Sequence, residues 1–284
     1  MPKFTSDRRF GIEIEMLCTG GMSSVVNAME EQGLTAIAMS WGQHQRNGYN
    51  TWHVTTDSSL RSNSGVEVVS PPMQGEEAFE QIEKLGKALK SCGATVTRDC
   101  GFHVHVEAQE MVNECGWATT LMKLFMKYEH VLDAIQPPSR KHNNNRYCKT
   151  MRKPSAGLAE TFKRFGRYSE TARFWGEQYG DKYMKLNLNP LYRQGTVEFR
   201  HHSGTVEASK IMAWVKTCIG MVETARKAKN VRAFNPKAKA VEVVFEEDRK
   251  LKLDADFNAL MKVVKADRQT KKVLRDRFEK NWNR

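Results

Sequence analysis

Residues 10–16 read FGIEIEM, and this heptapeptide restricts the fold more than any other stretch of the chain. Large apolar and acidic side chains alternate with a period of two, the period of a strand and not of a helix. As a strand it turns Ile12, Ile14 and Met16 to one face and Glu13 and Glu15 to the other. Other runs repeat the pattern. GVEVVSP contributes Glu67, and FHVHVEA contributes His103, His105 and Glu107. MKLNLN contributes Lys185, Asn187 and Asn189, and TVEFRHH contributes Glu198, Arg200 and His202. In TWHVTTDSSL, His53 and Asp57 share a face. Opposite each polar row runs an apolar one, such as Phe102, Val104 and Val106, suited to packing against helices.

An antiparallel sheet often shows one polar face to water with no further role. Such faces favour Thr, Lys, Ser and Gln, because Asp and Glu are poor strand residues. Here the set is Glu, Asp, His, Arg and Asn, the side chains that bind hard divalent cations and phosphate. Two carboxylates about 4 Å apart repel by roughly 4 kcal/mol at an effective dielectric near 20. A cation over the face removes that cost, so Mg²⁺ or Mn²⁺ is expected above Glu13 and Glu15. Arg200, two residues beyond Glu198, is placed to hold a phosphate beside the metal. Metal and guanidinium together describe phosphoryl transfer. Neither G-x-x-x-x-G-K-[ST] nor GxGxxG occurs, so ATP would be held by metals and side chains rather than by a glycine cradle.

Elsewhere the chain alternates strands and helices. Phe79, Ile82, Leu85 and Leu89 space a helix closed by Gly93, and a second runs from Trp117 to Ile135 before Pro137 and Pro138. Residues 139–167 read as a basic, mobile loop, with the excess charge concentrated in 139–153. A helical stretch through TARFWGEQYG follows, and RQG suggests a hairpin between the YMKLNLNPLY and TVEFRHHSG runs. Residues 208–228 have helical periodicity. A strand-like VEVVF and a charged helical tail come last, the tail with Phe257, Leu260, Val264, Val273, Leu274 and Phe278 as its buried stripe. Trp117, Trp175 and Trp214 are expected in the core.

At 284 residues with 40% hydrophobic content, the chain can bury a substantial core. With no leader sequence and no apolar run long enough for a membrane helix, a soluble, cytoplasmic protein is expected, its six cysteines reduced. Cys100-x-x-His103 lacks the second cysteine pair of a zinc site. Cys18 and Cys92 have no neighbouring base to make them nucleophiles. The net charge of +12 favours acidic ligands, nucleic acid among them.

FGIEIEM, the DSSL segment, GVEVVSPP, CGFHVHV, KLNL and TVEFRHHSGT occur in this order. The series resembles the amidoligase family, carboxylate–amine ligases similar to glutamate–cysteine ligase and glutamine synthetase, over roughly Arg9 to Val215. The resemblance implies an α+β, glutamine synthetase-like fold in which an antiparallel sheet forms an active-site funnel with helices packed on the opposite face. It implies a catalytic domain over 1–228, leaving 229–284 as a basic, mostly helical extension with no matching motif. It also implies ATP, two or three divalent cations (Mg²⁺ or Mn²⁺), and amide formation through an acyl phosphate.

Carried over by motif, Glu13, Glu15, Glu67 and Glu198 look like metal ligands, joined by one of two histidines on a common face. His103 is favoured as the ligand and His105 as a substrate or phosphate contact. Arg200 looks like the γ-phosphate clamp, with Lys185, Asn187, Asp57 and Arg61 as further nucleotide or substrate contacts. Small-molecule or peptide carboxylates and amines are the expected partners. The alternatives are a Mg-dependent nuclease or nucleic-acid-binding protein, a ligase that modifies nucleic acid or protein, and a retired fold used for assembly.

Overall fold

A computed structural model describes residues 6–39, 50–57, 60, 64–113, 115–151, 182–228 and 246–284. The fold is mixed α/β with a seven-stranded sheet. Two compact units divide the chain, one of residues 1–106 and 201–215, the other of residues 107–200 and 216–284. The C-terminal helices cluster with the middle of the chain.

In the first unit β1 (Phe10–Leu17) lies between β4 (Gly65–Val69) and β5 (Gly101–Glu107) and is antiparallel to both. β3 (Trp52–Thr55) pairs antiparallel with β4. β2 (Ala36–Ala38) pairs parallel with β3, so the sheet is mixed and not the purely antiparallel one expected. The register explains how one sheet carries two chemistries. Val54, Val68, Ile14 and Phe102 stand side by side across four strands as a buried apolar row. One residue along, on the other face, run His53, Val69, Glu13 and His103, then Thr55, Glu67 and Glu15. Helix α1 (Gly21–Glu31) packs on β2, β3 and β4 and against α2 (Gly75–Ser91), burying Val25, Ala28 and Met29. The α2 stripe is Ala78, Ile82, Leu85, Ala88 and Leu89. Phe79 is only half-buried, its ring tilted on Phe10 at 5.9 Å.

Strand boundaries are tighter than alternation suggests. β3 stops at Thr55, and residues 94–100 precede β5 with only a bridge from Thr95 to Leu17. His202, expected beside Glu198 and Arg200, packs edge-on to Phe102 at 5.3 Å and lies 5.2 Å from Trp214. It is core.

The second unit contains α3 (Glu110–Asn113), α4 (Cys115–Ala134), β6 (Leu186–Asn187) and α5 (Pro190–Gln194). It also contains most of β7 (Thr196–Ser203), most of α6 (Ala208–Lys227), α7 (Glu246–Val263) and α8 (Arg268–Asn281). β6 and β7 form the expected antiparallel pair, but their connection is the short helix α5, ended by Gly195 at φ 66°. A Cβ there would stand 2.1 Å from Gln109 Oε1, so both the backbone angle and the space select glycine. Phe257, Leu260, Val264, Leu274 and Phe278 are buried as the tail stripe predicts, while Val273 is half-buried. His130 on α4 meets Asp256 on α7 at 2.7 Å.

The described part of the basic loop is fixed rather than free. Arg140 and Lys141 are buried. Lys141 Nζ donates to the carbonyls of Asn281 (2.5 Å) and Arg284 (2.6 Å), at the C-terminal end of α8 where a cation suits the helix dipole. Below it, Glu129 and Asp133 sit four residues apart on one face of α4 and receive Lys185 Nζ at 3.0 and 2.6 Å. Glu129 also accepts from the Thr150 hydroxyl and the Met151 amide, and Asp133 accepts from the His142 amide. Among the described residues no helix is long and apolar enough to cross a membrane. The VEVVF run, the TARFWGEQYG stretch and Trp175 lie outside them; Trp214 is buried and Trp117 half-buried.

Candidate functional site

The polar face of the first unit gathers six of the expected residues. Direct pairing sets Glu15 opposite Glu67 and Glu13 opposite His103, which are neighbour positions for side chains. Ligand atoms of Glu13, Glu67 and His103 all lie within 4.8 Å of one another, as do those of Glu15, Asp57 and Glu67. Glu67 belongs to both groups. His103 Nδ1 is 3.2 Å from Glu13 Oε2 and its Nε2 is 3.7 Å from Glu15 Oε1, so one imidazole bridges the two glutamates of the opening heptapeptide. His105 Nε2 reaches Glu13 Oε1 at 3.3 Å. The Gly101 amide donates to Glu15 Oε2 at 2.5 Å and fixes that carboxylate from the strand end.

Burial alone would raise the Glu13 pKa, but hydrogen bonds and charge from His103 and His105 hold it well below the usual carboxylate range. Glu13 is therefore ionised at neutral pH. Carboxylates as close as Glu15, Asp57 and Glu67 repel by about 3.5 kcal/mol per pair at 4.8 Å and an effective dielectric near 20. Thr55, opposite Glu67 on the same face, is fully buried, and its Oγ1 has no hydrogen-bond partner among the described residues. Buried hydroxyls are ordinarily satisfied, so this one points to a group held by that face. Carboxylate oxygens with one imidazole and a hydroxyl suit a hard divalent cation such as Mg²⁺ or Mn²⁺. Cys100 is instead engaged with Thr97, whose amide lies 3.4 Å from its sulfur.

Within the second unit, Glu198 on β7 faces Asn187 on β6, and Asn187 Nδ2 donates to Glu198 Oε2 at 2.6 Å. Arg200 forms an ion pair with the other Glu198 oxygen and donates from Nε to the Tyr147 carbonyl at 3.4 Å. The same-face spacing of Glu198 and Arg200 is thus realised as a direct contact. The side chain of Lys185 is fully buried, with its ammonium ion-paired to Glu129 and Asp133. Arg61 lies outside the described residues.

Sequence reasoning did not single out Thr55, Glu129, Asp133, Tyr147 or Tyr183. For Glu129 and Asp133 a signal existed, since two acids four apart interrupt the apolar stripe of a helix. For the two tyrosines none did.

A family model described as "Putative amidoligase enzyme" matches residues 6–222. No curated protein matches the chain. Among solved structures, a bifunctional glutathione synthetase from Pasteurella multocida is similar at 12% identity and a TM-score of 0.49, over 98% of this chain and 47% of that one. The chain spans about half the length of that protein.

Proposed function

The chain belongs to the amidoligase family, and from that membership we propose that it is an ATP-dependent ligase that joins a carboxylate to an amine through an acyl phosphate. One observation carries the reading: Glu13, Glu15, Asp57, Glu67 and His103 converge on a single sheet face as two groups of ligand atoms within 4.8 Å. A ligase needs cations there, because ATP and an acid substrate bring further negative charge to the reacting centre. Bound Mg²⁺ or Mn²⁺ would neutralise the face and polarise phosphate oxygens. The proposed ligands are Glu13, Glu15, Glu67, His103 and Glu198, with Asp57 supporting the Glu15–Glu67 group. His105 is the proposed substrate or phosphate contact.

In the proposed reaction a substrate carboxylate oxygen attacks the γ-phosphorus and ADP departs, leaving the acyl phosphate. The amine nitrogen then attacks the acyl carbon, inorganic phosphate leaves, and the amine gives up a proton. Arg200 is the proposed γ-phosphate clamp, since its planar guanidinium can form paired hydrogen bonds to phosphate oxygens. Asn187, hydrogen-bonded to Glu198, positions that carboxylate. A glutamine synthetase-like funnel is the proposed form of the site.

The test is ADP and phosphate release in the presence of Mg²⁺ and pooled carboxylates and amines, with condensed product read by mass spectrometry. Release requires both substrates and is lost in Glu198→Ala and in Arg200→Ala. Turnover that survives either change, or needs only one substrate, overturns the reading. Independently of turnover, Mg²⁺ should raise the melting temperature of the wild type and not of Glu67→Gln, because a ligand that binds only the folded state stabilises it.

A further inference from the structure

The basic loop remains unexplained by the ligase chemistry, and its described residues divide sharply in use. Arg140, Lys141 and, beyond the loop, Lys185 are buried, with Lys141 spent on carbonyls and Lys185 on carboxylates. Arg146 and Lys182 are exposed, and neither enters an ion pair among the described residues. Each lies over a tyrosine. Arg146 Cζ is 4.6 Å from the centroid of the Tyr147 ring, and Lys182 Nζ is 5.2 Å from that of Tyr183. The two rings meet edge to face at 5.1 Å and 76°, bringing together segments 36 positions apart in the chain. Arg200 Cζ stands 5.9 Å from the Tyr183 centroid, and its Nε bonds the Tyr147 carbonyl.

We propose that Arg146, Lys182 and Arg200, arrayed on the Tyr147–Tyr183 pair, form an oxyanion-binding rim that holds a phosphate or carboxylate group of a ligase substrate. The chemistry follows from how a cation sits on a ring. The aromatic face holds the charge in place; one Arg146 nitrogen donates to the Tyr147 hydroxyl and its remaining N–H groups stay available, so little side-chain entropy is lost when an anion arrives. Arg146 and Lys182, set on two touching rings with no ion-pair partner among the described residues, offer positive charge that an incoming anion would neutralise. Glu198 pairs with Arg200, and Glu129 and Asp133 are occupied by Lys185. The inference deepens the ligase reading and rests on it for the identity of the anion. The anion comes either from the nucleotide phosphates or from an additional charged group of the acid substrate.

The test is calorimetric titration of the full chain at low salt with inorganic tripolyphosphate in one arm and tricarballylate, a tricarboxylate, in the other. Wild type and the doubly substituted Arg146→Gln/Lys182→Gln protein are compared, both substitutions being of exposed side chains. At least one probe should bind the wild type and bind the double variant tenfold or more weakly, with the melting temperature unchanged. Loss confined to tripolyphosphate assigns the rim to the nucleotide; loss confined to tricarballylate assigns it to the acid substrate. Binding of neither probe to the wild type, or binding within twofold in the double variant, overturns the rim. The ligase reading stands or falls separately. If probe binding behaves as expected and no acid and amine pair releases ADP, the rim stands and the ligase reading falls. If turnover is intact and probe binding is unaltered in the double variant, the reverse holds.

Discussion

Replacing Lys185 with methionine separates a structural lysine from a ligand-binding one. The side chain is fully buried, with its ammonium 3.0 Å from Glu129 and 2.6 Å from Asp133, both on α4. Methionine keeps most of the volume and removes the charge, which leaves two buried carboxylates facing each other without a cation. Breaking a buried ion pair in this way costs about 3–5 kcal/mol. At roughly 2.1 cal/mol/K of unfolding entropy per residue, a chain of 284 residues loses about 5–8 °C of melting temperature.

The pH profile adds a second reading. Burial alone would lower the ammonium's pKa, but the charges of Glu129 and Asp133 outweigh it and hold the value above lysine's ordinary 10.5. Because the folded-state value is the higher one, the stabilisation is complete below about pH 10.5 and disappears as the pH climbs through the folded value. The difference between wild type and Lys185→Met should therefore be constant from neutral pH to about 10 and shrink above it. Also neutralising Glu129 and Asp133, as Gln and Asn, should recover most of the loss, since no unpaired charge remains. Differential scanning fluorimetry across pH measures all three proteins. A melting temperature unchanged within a degree, with the KM for nucleotide raised instead, would refute the structural assignment and return Lys185 to the ligand.

Two further outcomes are expected. Asp267 caps α8 by accepting from the Thr270 amide at 2.7 Å and pairs with Lys216 at 2.7 Å. Asp267→Ala should cost about 1–2 kcal/mol in urea unfolding. Burial would raise the Asp267 pKa, but the bonds from Lys216 and Thr270 bring it below the ordinary 3.8, so this stabilisation is present above pH 3.8 and fades as the pH falls through the folded value; Asp267→Asn should keep most of the cap without that acid dependence. Gly220 on α6 faces Val264 so closely that a Cβ would stand 2.3 Å from its carbonyl oxygen. Gly220→Ala should shift the urea midpoint downward by the equivalent of about 1–3 kcal/mol, and an unchanged midpoint would show that the helices separate freely there.

The first unit's polar face was legible because its cause is local. Alternation within FGIEIEM, GVEVV and FHVHV decides which side chains share a face, and pairing then only has to bring like faces together. The parallel β2 was not legible, since three residues reading AIA carry no period. The surroundings of Lys185 and His202 were not legible, for a common reason. Alternation gives the face but not what covers it, and here α4 brings two carboxylates to Lys185 while Phe102 and Trp214 enclose His202. The tyrosine pair depends on two segments meeting in space, and no periodicity within either announces it. The loop's basic composition was visible, but which cations serve the interior could be known only from their partners.

The greasy and charged rows of β1 are threaded through the same eight residues. Dropping one residue from this strand would therefore swing every side chain beyond the cut to the wrong side, stranding glutamates in oil and isoleucines on the polar face. The heptapeptide can tolerate exchanges of letter far more readily than any change of length, and damage there would erase scaffold and chemistry in a single event.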